Sequence, residues 1–556
     1  MNSAVGFSTS PGKIGILLLE NSRKTQLLLV VITVAALAPF LNKSFHIDDP
    51  LFLWVGQQIS EQPLDPYGFS VNWDTSAKPI WKVMQNPPLC SYYIATVASL
   101  FGWRELALHL AFVIWPIAAV LGTFVMARRF CREALMAALV TLFTPALLVS
   151  ATNVMCDVML VALWVWSIEC WIAGLDRRRW PLLTLSATLA AAAALTKYFG
   201  VSVVPLLVVY TIARGGRFVR YIGLLAIPLV AVIGYELATK SLYGIGLFSD
   251  AASVSAAIGR KGPGALAQLL TGLAFTGGCL VTAAFFLLRR PRRFWLIAIG
   301  GVAISVAGFY FLVPLLPLYG LGSNASAVWI EGGIFAAIGL GIFVLAWADL
   351  LRHRDAASLL LLLWFVGTFV FASFCNWSIS GRVILPMAPA VAILVMRWGD
   401  AVNSEREDVI LSVPRISMAA ALSLVIVAAD YRQAKTGQEA SREFQTRFQS
   451  ENVTVWFEGH WGFQYYMQQW GAKPLDVSNA EVTPGDVLVF PSNISSVIQV
   501  PMEKISPLGT ITFSTFPLVS THGRGTGAAF YSSSRGPVPW AIDHVSAETY
   551  FVTRFR

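Results

Sequence analysis

Apolar residues in this chain gather into runs that approach membrane length. The first covers 27–41 behind Arg23 and Lys24, and others cover about 105–127, 134–150, 158–174, 181–195, 198–212 and 221–239. Six more lie at about 264–288, 294–316, 327–348, 356–374, 383–396 and 413–429. A helix crosses the hydrocarbon core in roughly 20 residues, so the pattern predicts about 13 transmembrane helices. Residues 15–20 are too short for the apolar centre of a cleavable signal, and no small-residue cleavage site follows the first run. That run reads as a retained span.

The polar residues between the runs set the topology. Arginines cluster in alternate connections: Arg128, Arg129 and Arg132, then Arg177 to Arg179, then Arg214, Arg217 and Arg220. The series continues with Arg289, Arg290, Arg292 and Arg293, then Arg352 and Arg354, then Arg397, Arg406 and Arg415. The positive-inside rule places all of them in the cytoplasm if the N-terminus is inside, which leaves the C-terminus outside. Pro88 to Phe101 is apolar but only about two-thirds of a span long, and a crossing there would invert every later cluster. It is expected to be an interfacial or re-entrant helix, so residues 43–103 form one large outer loop. A second interfacial helix is expected at Pro50 to Ser60, with Leu51, Trp54, Val55 and Ile59 on one face and Gln57, Gln58 and Glu61 opposite.

Past residue 429 the pattern changes to that of a soluble domain. Val453 to Phe457 and Asp486 to Phe490 read as strands, Pro484-Gly485 as a turn, and Phe463 to Trp470 as a helix. The chain is thus expected to comprise a membrane domain, 1–429, and a small α/β domain on the outer face, 430–556. The cluster Glu458 to Gly462 follows the first strand, where docking of its aromatics onto the bundle is favoured over catalysis.

Composition agrees with a polytopic membrane protein: 56% of the 556 residues are hydrophobic and only 13% are charged, with a mean hydropathy of +0.64. The net charge of +9 sits in the short connections and not on an aromatic-interleaved stripe, so it encodes topology and not nucleic-acid binding.

Charges on the outer side are few. Asp48 and Asp49 open the large loop beside His46, Asp157 is the only charge in its connection, Lys197 sits at an apex, Glu331 starts a span and Arg382 opens another. A Lys and an Arg where the rule disfavours them, beside carboxylates from other loops, point to a site for an anionic substrate. Snorkelling to lipid phosphates explains either cation alone; together with Asp48 and Asp157 they favour a site. Glu169 reads as a solvated boundary residue; Glu236 lies nearer the outer side, and nothing in its neighbourhood decides whether it reaches the cavity. The six cysteines show no CxxC spacing and read as small buried apolar residues. No HExxH pair or phosphate-cradling Gly-rich loop occurs. A metal at His46, Asp48 and Asp157 ranks below direct acid–base use. A transporter or flippase of a lipid-linked or anionic solute is the rival class, and it accounts less well for a long outer loop and a folded outer domain. A polymerase or ligase acting on lipid-linked glycans shares the donor chemistry of a transferase.

The order of these pieces resembles the GT-C glycosyltransferases, in particular the protein O-mannosyltransferase and lipid A aminoarabinose transferase group. The matching residues are Asp48-Asp49, Asn86-Pro87-Pro88-Leu89 with Tyr92 and Tyr93, Asp157, Leu195-Thr196-Lys197, and Arg382 with Leu385-Pro386-Met387-Ala388-Pro389. The resemblance implies an inverting transfer from a polyprenyl-phosphate sugar to a lipid, glycan or protein acceptor at the outer face of a cell membrane, of the bacterial inner-membrane kind. It implies that Asp48 is the catalytic base with Asp49 in support. Asp157, Lys197, Arg382, His46, Asn86, Tyr93 and Glu331 would contact substrate. No cofactor is required by the resemblance, which leaves room for a divalent metal. Some relatives carry a charge before Pro-Pro where this chain has Gln85-Asn86, which removes support for aminoarabinose specificity or a metal ligand there.

Overall fold

A computed structural model describes residues 22–259, 264–287, 292–312, 325–402, 409–493, 500–523 and 525–556. Residues 15–20, Arg289, Arg290, Arg406 and the end of the 294–316 run lie outside the described residues. Over what is described, each of the apolar runs is helical in the main. Eight helices are long and apolar enough to cross a membrane, and the bent pair Ala134–Leu142 and Pro145–Ala151 makes a ninth if it is one span. Four shorter helices, Trp180–Thr196, Tyr198–Arg214, Ala265–Cys279 and Gly300–Phe311, would have to cross as well to reach the expected count. The count of 13 is therefore not established.

The breaks have local causes. Pro145 has no N–H to continue the preceding ladder, and Thr144 Oγ1 accepts from Leu147 N at 3.2 Å to start a fresh helix, bent 58° from the first. The helix Cys156–Arg177 is buried along almost its whole length. Ala187, Ala190 and Ala194 of Trp180–Thr196 are fully or almost fully buried, and small side chains of this kind let two backbones approach where lipid supplies no hydrophobic drive between helices. Trp164 stacks between Phe199 and Trp364, at 5.1 and 6.2 Å between centroids.

Several arginines of the alternate connections meet at one end of the bundle. Arg129 Nη1 and Arg214 Nη2 contact the two oxygens of Asp176 at 3.0 and 2.9 Å, while Arg397 Nε reaches Asp349 at 3.0 Å. Arg129 also holds Glu169 at 2.6 Å. Glu169 is thus a buried, paired carboxylate and not a solvated boundary residue, since an unpaired charge in that position would be costly.

The large loop carries the helix Asp49–Glu61, a hairpin of β1 (Ser70–Asn72) and β2 (Ala77–Pro79), and the 13-residue helix Leu89–Phe101. Further on, the helix Leu247–Gly259 was not foreseen; it is rich in Ala and Ser and too short for an apolar-run criterion. Its start is held by Glu236, whose Oε2 accepts from Phe248 N at 2.9 Å.

The helix Val409–Phe448 runs 40 residues through position 430 and carries the chain into the C-terminal region. There β3 (Val455–Phe457), β4 (Lys473–Pro474), β5 (Val487–Pro491), β6 (Ile505–Phe513) and β9 (Glu548–Phe555) form one sheet in the order β4-β3-β5-β9-β6. β3 pairs parallel with β4 and β5, and β9 antiparallel with β5 and β6. β7 (Val519–Ser520) and β8 (Ala541–Ile542) form a separate pair. The helix Trp461–Gln469 follows β3 and starts two residues earlier than the aromatic pattern suggested. The region docks on the large loop: Asn72 Nδ2 donates to Leu475 O at 3.0 Å, and Gln464 Nε2 to Asn72 O at 2.8 Å.

Candidate active site

Helix ends aim four of the charges that the sequence singled out. Asp48 is the N-cap of Asp49–Glu61; its carbonyl accepts from Leu51 N at 3.0 Å, and its carboxylate makes no cap bond. Asp157 lies in the first turn of Cys156–Arg177, where the helix dipole favours an anion. Lys197 is the C-cap of Trp180–Thr196, the end that favours a cation. Arg382 stands in the short helix Gly381–Ile384 behind the N-cap Ser380.

All four line one cavity of about 1270 Å³, and they form two ion pairs in it. Arg382 Nη2 lies 2.8 Å from Asp48 Oδ2, with 13% and 28% of the side chains exposed. Lys197 Nζ lies 2.6 Å from Asp157 Oδ1, with 19% and 3% exposed. Four residues far apart in sequence thus meet at one place, all lining the cavity and all largely sheltered from solvent. Screening there is weaker than at a free surface, and an anion entering the cavity can compete for both cations.

Asp49 points the other way. Its Oδ2 accepts from His46 N at 2.7 Å and its Oδ1 from Val154 N at 2.8 Å, and the side chain is fully buried. Burial pushes its carboxyl up to about 7. It ties the start of the large loop to the segment that precedes Asp157. The backbone between His46 and Asp48 makes this division: Ile47 has φ 47°, a conformation that β-branched residues rarely adopt and that marks strain. Trp461 (φ 60°) is a second cavity residue in that region of conformation.

Asn86 lines the cavity, and its carbonyl accepts from Tyr67 Oη at 2.6 Å. His46, Asp49, Tyr93 and Glu331 are not among the described residues that line it. His46 packs edge-on against Tyr531, 5.5 Å between centroids, and burial lowers it to about 3, so it is a neutral ring buried behind the lining. Tyr93 Oη donates to Ala111 O at 2.7 Å among Phe112 and Trp115. Glu331 Oε1 accepts from Ile542 N at 2.9 Å and fastens the C-terminal region to the bundle. Cys375 is exposed and lines the cavity with Cys156, so the cysteines are not all buried fillers. Among the described residues no three His, Cys, Asp or Glu side chains converge as a metal-binding group.

The C-terminal region supplies part of the wall. Trp461, His522, Tyr531 and Arg535 line the cavity, with Arg535 lying over the Trp461 ring at 5.4 Å and Tyr531 against Arg382. Trp461 belongs to the aromatic cluster after β3, whereas nothing in the local pattern around Tyr531 marks it. From the large loop come Trp73, Asp74, Lys78 and Lys82. The remaining side is apolar, with Val201, Phe248, Ala251, Phe371 and Phe374.

Residues 85–235 match the family described as dolichyl-phosphate-mannose-protein mannosyltransferase. They include Asn86, Asp157 and Lys197. A search of curated proteins returned no match by sequence. Among solved structures, the archaeal oligosaccharyltransferase AglB from Archaeoglobus fulgidus, in complex with an inhibitory peptide and a dolichol-phosphate, aligns at 12% identity and a TM-score of 0.47. The alignment covers 81% of this chain and 64% of that one, so the chain spans less than two thirds of that relative. ArnT from Cupriavidus metallidurans, bound to undecaprenyl phosphate, aligns at 15% identity and a TM-score of 0.46 over 84% of this chain and 93% of its own. The arabinofuranosyltransferase AftD from Mycobacteria aligns at 12% identity and a TM-score of 0.38 over 95% and 39%. The chain is a multi-pass membrane protein whose residues 85–235 match the family described as dolichyl-phosphate-mannose-protein mannosyltransferase.

Proposed function

We propose that this protein transfers a sugar from a polyprenyl-phosphate donor to an acceptor hydroxyl or amine on the outer face of the membrane, inverting the anomeric centre in one displacement. The observation that carries the reading is the convergence of Arg382–Asp48 and Lys197–Asp157 in one cavity. Its apolar side, around Phe248, Phe371 and Phe374, offers a bed for the first isoprene units of the donor.

The donor phosphate enters between Lys197 and Arg382. Arg382 then exchanges the Asp48 carboxylate for a phosphate oxygen, which frees Asp48 at the moment a base is needed. Asp48 takes the proton of the acceptor, the acceptor atom bonds to the anomeric carbon, and the bond from that carbon to the phosphate oxygen breaks. Polyprenyl phosphate leaves with increased negative charge, which the two cations stabilise in a sheltered site. Asp49 holds the loop, and the membrane domain, 1–429, with the outer region 430–556 encloses the acceptor. The N-terminus is cytoplasmic and the C-terminal region extracytoplasmic in this reading, which rests on the alternating arginine clusters.

The test is to supply purified protein in lipid vesicles with a polyprenyl-phosphate sugar labelled in the sugar, together with candidate acceptors. Label leaving the lipid is the expected result. Intact donor crossing the bilayer, with no transfer or hydrolysis, would instead make the protein a flippase.

A further inference from the structure

We infer that Tyr531, from the C-terminal region, is a positioning residue that fixes the Arg382 guanidinium opposite Asp48, so that the site is incomplete unless residues 530–533 are seated on the bundle. The inference rests on the reading of Arg382 as a phosphate-binding cation.

The guanidinium has few partners for so buried a group. Nη2 pairs with Asp48, Nη1 lies 3.1 Å from Met155 Sδ, and Nε is buried with no hydrogen-bond partner among the described residues. A carboxylate that must later be released and a thioether do not define the plane of a guanidinium. The guanidinium lies over the Tyr531 ring, 5.5 Å from Cζ to the centroid, where a cation is attracted by the π face.

The ring is itself immobilised. Tyr531 Oη donates to Asp430 Oδ2 at 2.8 Å and accepts from Asn153 Nδ2 at 3.1 Å. Asp430 Oδ1 accepts from Thr521 Oγ1 at 2.7 Å, and Lys43 Nζ contacts Asp430 at 2.5 Å and Asn153 Oδ1 at 2.6 Å. Lys43 and Asp430 are fully buried. The hydroxyl is therefore tied to the first span's exit, the segment before Asp157 and the last long helix, and such a fully satisfied network rigidifies what it holds.

The same stretch grips the backbone of Arg382. Gly381 N donates to Phe530 O at 2.7 Å, Ser533 N to Ile379 O at 2.7 Å, and Ile379 N to Ser533 Oγ at 3.0 Å. Glycine is required at 381 because a Cβ there would lie 2.4 Å from the Phe530 ring. Backbone pairing on one side and the ring on the other set both the base and the tip of Arg382.

The experiment measures binding of polyprenyl phosphate, without sugar, to the full-length protein in nanodiscs, for wild type, Tyr531→Leu, Arg382→Ala and the double variant, with thermal unfolding as a control. The expected result is about tenfold weaker binding for Tyr531→Leu, with a double variant no weaker than Arg382→Ala alone. Unchanged binding in Tyr531→Leu, or losses that simply add, would overturn the positioning role while leaving the phosphate reading intact. Unchanged binding in Arg382→Ala would overturn the phosphate reading and this role with it. If Tyr531→Leu does not fold, Tyr531→Phe serves: it keeps the ring and loses the tether, and about threefold weaker binding is expected, with unchanged binding counting against the role.

Discussion

Asp48 Oδ2 and Arg382 Nη2 stand 2.8 Å apart although 334 positions separate them in the chain. A carboxylate in an ion pair is a poor base, and an arginine in an ion pair is a poor anion trap. The pair makes chemical sense as a resting arrangement that a phosphate opens. Lys197 and Asp157 repeat the arrangement with a shorter contact and a more buried acid. In the proposed reaction the two cations exchange internal carboxylates for one phosphodiester monoanion, which gains its second charge as polyprenyl phosphate leaves.

Replacing Arg382 with Ala should weaken donor use. The expected loss is roughly 2–4 kcal/mol in kcat/KM for the donor, as for an ionic contact in a sheltered site. Steady-state kinetics with varied donor and fixed acceptor checks this. An unchanged donor dependence would return Arg382 to the role of a lipid anchor.

Removing Lys43 should unfold the protein more readily. Lys43→Met leaves Asp430 buried and ionised without its cation, and breaking a buried pair costs about 3–5 kcal/mol. Lys43→Met combined with Asp430→Leu should recover much of that loss, because no uncompensated charge remains. Thermal unfolding in detergent of the two single variants and the double variant measures it. A double variant as unstable as the worse single would contradict it.

The C-terminal region should carry a pH signature from Glu548. This side chain is almost fully buried against Gln433, Ser492 and Asn493, and burial pushes its carboxyl up to about 7. The folded state holds the proton more tightly than the unfolded state, so the stabilising contribution is complete below about 4.5 and is lost as pH rises through about 7. Glu548→Gln should remove this loss, of about 3 kcal/mol at most. Unfolding temperatures of both proteins at pH 5 and pH 8 should diverge at pH 8, and a constant difference would contradict the assignment.

The membrane class and the large loop at 43–103 were legible in the sequence because periodicity and charge bias act locally. Arg129, Arg132, Arg214 and Arg397 could be set on one end of the bundle before any coordinates, since each adjoins an apolar run. Asp48, Asp157, Lys197 and Arg382 stood out for the same reason, as charges where an apolar chain should have none. Their pairing was not legible: which carboxylate meets which cation depends on how helix ends converge. Tyr531 was invisible because an ordinary tyrosine becomes informative only when a distant arginine and Asp430 come to it. Leu247–Gly259 escaped because its alanines and serines give neither a membrane-length run nor a clear alternation. Glu169 was misread because its partner, Arg129, lies 40 positions away on another helix.

In the proposed reaction Asp48 removes the acceptor proton in a sugar transfer that starts from a polyprenyl-phosphate donor. The most direct measurement compares wild type and Asp48→Asn for transfer of labelled sugar, with binding of polyprenyl phosphate measured on the same samples. Asp48→Asn should lose at least about a hundredfold in transfer while still binding the lipid phosphate, because Arg382 and Lys197 remain. Transfer at the wild-type rate by Asp48→Asn would contradict it.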